Sequence, residues 1–468
     1  MNIIKKYKTI LYILCWTLLW ANLNVDFFVI LKFGNNFIDN VNGIRALIPV
    51  FILSLLIFYL LFNDCLKNFF NKKNIYLFFL LFFVCKIIGS ITNLNNILII
   101  NKYTVIQAFG LIISTIASIL LVYLIHNEKN KRIEKYLVYS TIVILSTYFI
   151  PLLLNLIWKY SLSSNIYMYY ENVIQEFSRD FFKLPISRST GVSRSIIIIS
   201  IFLLCFNSFK NNIVKNLTYV VIFILTTSVF LINSKFGVTA LVIIYSLIIF
   251  TNNLYKTHKI KFLIIFIFLP FFLSILIFNA KSNIYYDNNK NLNDNNNENL
   301  NKINLQIKNR FIDDYYTSPG ITSGRTQIWI KSIDIFISEK RYLFGLGTQA
   351  DRLYLAIYQG TNKDKKKNAI LSSNSSNAII YSVLSGGIIS LILLILFNYI
   401  LLMRVYKFFF MPSKNFNYNL LNFSVYTYLF LLLRSLVENS FTIFSIDFLI
   451  YLQCCMIIMK NINFKYKK

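Results

Sequence analysis

Runs of about 20 apolar residues constrain a chain more tightly than any other sequence feature. Such a run, coiled as a helix, covers the roughly 30 Å of hydrocarbon in a bilayer. Inside lipid every backbone N–H and C=O must find its partner within the segment, which leaves the helix as the economical solution. This chain of 468 residues holds about twelve such runs, near 10–32, 46–62, 75–92, 104–125, 137–158, 195–207, 217–233, 236–251, 262–279, 377–402, 419–436 and 442–459. Together they make up about half of it. The sixth is short for a span and is expected to extend a turn each way. Only Asn233, Ser234 and Lys235 divide the seventh from the eighth, which predicts a tight helical hairpin. The first run is long and no small-residue cleavage site follows it, so it is expected to remain as an anchor. The pattern predicts an all-α, polytopic membrane protein with about twelve transmembrane helices.

Composition agrees. Apolar residues make up 56% of the chain and charged residues 14%, against about 45–50% and about 25% in soluble domains. That excludes an ordinary soluble domain, a disordered chain and a fibrous repeat. The formal charge is +28, from 47 Lys and Arg against 19 Asp and Glu. In a soluble protein this would point to nucleic acid. Here the basic residues sit in alternate short loops. With the N-terminus inside, the inner segments hold 22 of them, from Lys5, Lys6 and Lys8 through Lys129, Lys131 and Arg132 to Lys467 and Lys468. The short outer connections hold Arg45, Lys102 and Lys235, with Lys32 at a border. This is the positive-inside pattern, and it places both termini in the cytoplasm. The charge therefore encodes topology, and the bilayer, not nucleic acid, is the expected partner. The six cysteines, Cys15, Cys65, Cys85, Cys205, Cys454 and Cys455, avoid the large outer loops, so neither a disulfide framework nor a metal site is indicated. His126 and His258 fall beside lysines in inner loops and read as solvated residues.

Two connections, both on the outer face, are long. They divide the chain into residues 1–279, nine spans with a medium loop near 159–194; residues 280–376, one large, partly helical outer loop; and residues 377–468, the last three spans. The large loop opens with an Asn-rich tract, nine of fifteen residues from Asp287 to Asn301. This is low-complexity sequence that cannot build a core. From Thr322 to Tyr358 the pattern is ordered. Thr322 or Ser323 suits a helix cap, and Trp329, Ile333, Phe336 and Ile337 recur at helical spacing. Phe344-Gly345-Leu346-Gly347 is expected to stop that helix, and Asp351 to Tyr358 to form a second short one. A Lys-rich turn, Thr361 to Asn368, reads as solvated surface.

The outer loops hold no histidine, no Gly-rich phosphate loop and no paired metal ligands. They do hold arginine beside glycine and hydroxyl residues: Ser187-Arg188-Ser189-Thr190-Gly191-Val192-Ser193-Arg194-Ser195 in the first, Ser323-Gly324-Arg325 in the second, with Arg341 and Arg352 beyond. Guanidinium binds phosphate oxygens bidentately and stays charged in partly dry sites. Lysine dominates the inner loops, whereas arginine gathers where outer apolar helices begin. That contrast points to phosphate recognition at the membrane surface. Lys235 reaches the same face. Within spans, Arg434 and Glu438 are four apart and suited to pair along one helix face, while Lys86 and Asp447 read as unpaired charges.

The order Ser323-Gly324-Arg325-Thr326-Gln327-Ile328-Trp329, Leu343-Phe344-Gly345-Leu346-Gly347, Ser376-Asn377-Ala378-Ile379-Ile380 and then Gly387 in an apolar span resembles the O-antigen polymerase and ligase superfamily of bacterial envelope glycosyltransferases. Arg188 to Gly191 and Arg194 resemble that family's earlier outer-loop segment, and Ser234-Lys235 its Ser-Arg after a span. The resemblance covers roughly residues 187 to 390. It implies a membrane glycosyltransferase of the inner, plasma membrane. Glycan on undecaprenyl diphosphate would be joined to a single lipid-linked repeat unit. Arg188, Arg194 and Arg325 would stabilise the leaving diphosphate, with Lys235, Arg341, Arg352, Trp329, Ser376 and Asn377 holding substrate. A metal or other cofactor is not demanded, because diphosphate leaves readily. A chain-length regulator is a further expected partner. Any base would be an Asp or Glu of the outer loops, with Asp313, Asp314 and Asp351 as candidates. The family's loop histidine would align with Ser376, which favours the polymerase over the ligase. A flippase of lipid-linked oligosaccharide is the alternative from another class.

Overall fold

The structure is a computed structural model. It describes residues 2–23, 25, 27, 30, 34, 37–62, 69, 75–94, 102–128, 130, 132–160, 189–206, 211–231, 235–251, 258–277, 325–358, 375–410 and 418–462. These residues fold into helices joined by turns, with no strand among them. We number the helices α1 (Asn2–Ala21), α2 (Phe37–Phe62), α3 (Ile75–Thr92), α4 (Lys102–Asn127), α5 (Arg132–Tyr160), α6 (Ser189–Phe206), α7 (Asn212–Leu231), α8 (Lys235–Thr251), α9 (Lys259–Ile277), α10 (Arg325–Ser338), α11 (Ala350–Tyr358), α12 (Ala378–Phe410), α13 (Tyr418–Ser435) and α14 (Ile446–Asn461).

Each of the twelve apolar runs overlaps a helix. Six helices are long and apolar enough to cross a membrane: α2 from Asp39, α3, α4 from Val105, α7, α9 and α12. Shorter apolar helices run over Lys8–Ala21, Gly191–Phe206 and Phe236–Thr251. Many of these residues are β-branched or aromatic and are indifferent helix formers in water. Hydroxyl side chains turn inward and bond the carbonyl four residues back, as Ser114 does to Gly110, Thr226 to Ile222 and Ser382 to Ala378.

The first run does not stay helical to residue 32. α1 ends at Ala21, whose carbonyl accepts from Arg45 Nε and Nη2 at 3.1 and 2.9 Å. Beyond it, Gln107 of α4 accepts from the Phe27 N–H and donates to the Val25 carbonyl. A side chain on another helix has replaced the helical partner there.

The helices fall into two units. One comprises residues 1–143, 177–185 and 328–468, the other residues 144–176 and 186–327. In the first unit α12 lies against α3 more extensively than any other helix pair. Their seam is aromatic: Phe79 stacks on Phe397 at 4.6 Å between ring centres, and Phe83 meets Phe448 of α14 edge-on at 5.7 Å. Two ion pairs lie among its buried side chains. Arg434 at the end of α13 donates to Asp447 in the first turn of α14 at 2.8 Å, so Asp447 is not the unpaired charge expected of it. Arg434 thus reaches from the last turn of one helix to the first turn of the next. Lys460 pairs with Glu134 at 3.0 Å. His126, expected in a solvated loop, is instead half-buried in the last turn of α4, its ring edge-on to Tyr76. In the second unit α6 packs against α7 and α8, and Thr226 of α7 meets the Tyr245 hydroxyl of α8 at 3.2 Å. α9 carries a π turn at Ile264–Phe268.

Candidate functional site

In the first unit, the segment Tyr342–Gly347 is built into a break in α12. At Gly387 the backbone takes φ 71° and ψ −171°, so the helix is interrupted nine residues after its start at Ala378. An interrupted helix frees backbone groups that an apolar environment leaves without water. Here the loop supplies the partners. Leu346 N donates to the Leu384 carbonyl at 2.8 Å, Gly347 N to Ser385 at 3.0 Å, and Ile388 N to the Tyr342 carbonyl at 2.8 Å. The backbones approach too closely for side chains. A Cβ on Gly387 would lie 2.1 Å from the Leu343 oxygen, one on Gly345 2.6 Å from Gly387 N, and one on Gly89 of α3 2.3 Å from the Phe344 oxygen.

The Phe-Gly-Leu-Gly sequence thus does not stop α10. That helix ends at Ser338, and Lys340 takes the left-handed conformation (φ 54°) that reverses the chain. The buried face of α10 also differs from the expected one. Ser332 and Ile335 are fully buried, with Ile335 joining Leu346, Leu353, Tyr354, Leu355 and Leu384 in one cluster. Ile333 and Ile337 face outward, and Trp329 and Phe336 are half-buried. Period alone does not say which of two apolar stripes meets the core.

Behind the loop, α3 contributes Lys86, Ser90 and Asn93. Thr348 N donates to Ser90 Oγ at 3.0 Å, and Asn93 Nδ2 donates to the Leu346 carbonyl at 3.0 Å and to the Tyr354 hydroxyl at 3.2 Å. Lys86 is fully buried. Its Nζ donates to the Thr442 carbonyl at 2.6 Å and lies 4.1 Å from the ring centre of Phe82 and 4.5 Å from that of Tyr381. Lys86 is therefore held by a carbonyl and ring faces, not left unpaired. Asp351, in the first turn of α11, is buried as well. Its Oδ2 accepts from Ser375 N and Ser375 Oγ at 3.2 and 3.3 Å, while Oδ1 has no hydrogen-bond partner. Burial raises the Asp351 pKa above the usual carboxylate range, opposed by the Arg352 charge and the Ser375 hydrogen bonds.

The other sequence-derived positions divide between the units. Trp329, Arg341, Arg352, Ser376 and Asn377 belong to the first. Arg341 and Arg352 are half-buried on the segments flanking the glycine junction. Ser376 is half-buried and takes φ 45°. Asn377 holds the fold together at the start of α12. Its Oδ1 caps that helix by accepting from Ile379 N and Ile380 N, and its Nδ2 donates to the Leu436 carbonyl at 2.8 Å. Arg194, Lys235 and Arg325 belong to the second unit. Arg194 is only 8% exposed, in the second turn of α6. Arg325 is the half-buried first residue of α10, and Lys235 the first of α8. Arg188, Asp313, Asp314, Thr322, Ser323, the Asn-rich tract and the Lys-rich turn lie outside the described residues.

Sequence reasoning missed Gly89, Ser90 and Asn93 as the floor of the junction. The legible signal was a lysine and a Gly-Ser pair in an otherwise aromatic span. Small residues let backbones approach in a membrane, and an ionisable residue there marks a functional position by default. No family model, curated protein or solved structure matches the chain.

Proposed function

We propose that the protein is a membrane glycosyltransferase that polymerises lipid-linked oligosaccharide repeat units. The donor is a growing glycan on undecaprenyl diphosphate, and the acceptor a single unit on the same lipid at the outer face of the bacterial plasma membrane. A sugar hydroxyl attacks the donor's anomeric carbon and undecaprenyl diphosphate departs. Negative charge grows on the leaving diphosphate, and fixed guanidinium groups stabilise it. Arg188, Arg194 and Arg325 have that role, with Lys235, Arg341 and Arg352 holding substrate phosphate or sugar. No cofactor enters the proposal, and a chain-length regulator is its expected partner.

The observation that carries this reading is the ordering of the arginine-bearing segments against apolar helices. Arg194 is buried where α6 begins, and Tyr342–Gly347, which lies between Arg341 and Arg352, is tied to α12 by three backbone hydrogen bonds. A fixed backbone limits the reach of the guanidinium it carries, whereas an arginine on a free loop must be brought to the substrate at each turnover. Trp329 offers a flat surface for a sugar or the polyprenyl tail. A flippase is the one competing reading that a described residue favours, through the buried cation Lys86 in a span. Carriers use helix breaks as open ion sites, but the break at Gly387 is filled by Tyr342–Gly347.

A deletion strain decides between them on a gel of surface glycolipid. Polymerase loss leaves envelope lipid with a single repeat unit. Bare core with polymer still on the carrier would instead identify a ligase, and single units confined to the inner leaflet a flippase.

A further inference from the structure

Helix α10 has three kinds of surface, although a helix resting on a folded core needs only two. From Ile328 on it belongs to the first unit. Ser332 and Ile335 face the core, and Trp329 and Phe336 stand half-buried on one flank. Lys331, Asp334 and Ser338 are exposed. At about 3.6 residues per turn they form one polar stripe, on the flank opposite Trp329 and Phe336. The third surface turns away from the core. Ile330, Ile333 and Ile337 are 55, 48 and 55% exposed, and Leu343, in the turn that follows, is 62% exposed. Water is a poor occupant for a row of four branched aliphatic side chains, and a face of that kind marks an interaction site.

The occupant follows from where the row leads. The Tyr342 carbonyl accepts from Ile388 N at 2.8 Å, and the Leu343 backbone closes on Gly387. Ile388 begins the exposed row Ile388, Ile392, Ile395 and Tyr399 of α12. That helix is long and apolar enough to cross a membrane, so its outward row faces acyl chains. Depth agrees. Arg404 donates to the Met459 and Ile462 carbonyls at the end of α14 and marks one edge of the hydrocarbon. About 20 residues cross the hydrocarbon, which places the other edge near Leu384, beside the break at Gly387. The second span gives the same level. α3 has 18 residues, and its last turn, with Gly89, Ser90 and then Asn93, is the floor of the Tyr342–Gly347 junction. Phe336 meets Tyr342 edge-on at 5.4 Å, so the aromatic flank of α10 adjoins the junction and the polar stripe lies on the side away from it. Aromatic rings at the hydrocarbon edge with a charged stripe beyond them are what a helix lying in the plane of the interface carries. We propose that α10 is an interfacial membrane helix, with Ile330, Ile333, Ile337 and Leu343 in the acyl chains of the leaflet that meets the start of α12 and with Lys331, Asp334 and Ser338 facing water. Residues 328–347 are then part of the membrane-embedded surface, not a domain standing off the bilayer. Arg341, between α10 and the junction, is carried to headgroup level. The placement does not depend on the glycosyl-transfer reading.

The test uses full-length protein with its six cysteines replaced, in vesicles of phosphatidylethanolamine and phosphatidylglycerol. The single variants Ile330→Cys, Ile333→Cys, Ile337→Cys, Lys331→Cys and Asp334→Cys each carry a nitroxide. Power saturation reads its collisions with oxygen, which dissolves in acyl chains, and with a water-soluble nickel chelate. At the three isoleucine positions oxygen collisions should exceed nickel collisions several-fold, at a depth of about 5–10 Å. The order should reverse at Lys331→Cys and Asp334→Cys. Nickel collisions dominating at the isoleucine positions put that face in water and overturn the proposal. Protection from both reagents puts protein there and overturns it as well, and spin–spin broadening that fades on dilution with unlabelled protein would identify a second copy. A further measurement needs no substitution. Wild-type protein is irradiated in vesicles holding a phospholipid with a diazirine in its acyl chain, and its peptides are read by mass spectrometry. Adducts are expected on Ile330, Ile333, Ile337 and Leu343 but not on Lys331 or Asp334. Adducts on Ile392 and Ile395 of α12 with none on the isoleucines of α10 overturn the proposal.

Discussion

Gly387 and Gly34 both hold left-handed backbone, at φ 71° and 93°, but their surroundings differ. Around Gly34 a Cβ meets nothing within 4 Å, whereas at Gly387 it meets the Leu343 oxygen at 2.1 Å. Gly34→Ala should therefore cost only the conformational term, about 1–2 kcal/mol. Gly387→Ala adds a collision with backbone that cannot move without breaking the junction, and should abolish folded protein in detergent. Thermal unfolding of the two variants, side by side, separates these effects. Asp447→Asn removes the carboxylate to which Arg434 Nε donates in a dry interior, and breaking such a pair from one side costs about 3–5 kcal/mol. Replacing both residues with apolar ones of similar volume should recover much of that loss. A double variant as unstable as the single one would show the pair to be needed for more than charge balance.

Helices α10 and α12 show how an element is placed by what meets it. α10 has two apolar stripes, and Ile335 is inside while Ile330, Ile333 and Ile337 are outside. Ile335→Ala should lower stability by about 2–5 kcal/mol, as core truncations do. Ile333→Ala should change it little, and equal costs would place the wrong face inward. At the start of α12, Asn377→Ala removes the cap and the tie to Leu436 together. Loss of the cap alone costs about 1 kcal/mol. Asn377→Asp keeps the cap and gives up the tie, so its unfolding midpoint should fall between those of the wild type and Asn377→Ala. The helix itself was legible in the sequence from residue 377 onward. Its break was not, because the pair Gly386-Gly387 in an apolar run looks like any other small residues until a second backbone is seen against it.

At the scale of the whole chain, the apolar content becomes fourteen described helices, six of them long and apolar enough to cross a bilayer. The charge pattern gives a topology to test. On a background without cysteine, a cysteine at Thr361 or Tyr170 should react with a membrane-impermeant maleimide from outside. One at His258 should react only after the membrane is opened. The reverse result would invert the orientation and remove the outer-face chemistry.

The sequence by itself determined which stretches are helical, because within an apolar run most backbone hydrogen bonding is satisfied inside the segment; where a helix ends or breaks depended on partners from elsewhere, as at Ala21 and Gly387. It also carried the arginines, the Phe-Gly-Leu-Gly turn and Asp351 as possible chemistry. Only the tertiary structure decided that Lys86 meets the Thr442 carbonyl, that Arg434 answers Asp447, and that a loop completes the break at Gly387. Those are meetings between residues from 13 to 356 positions apart. Within a span, side-chain hydropathy is nearly uniform, so nothing local records which face meets which.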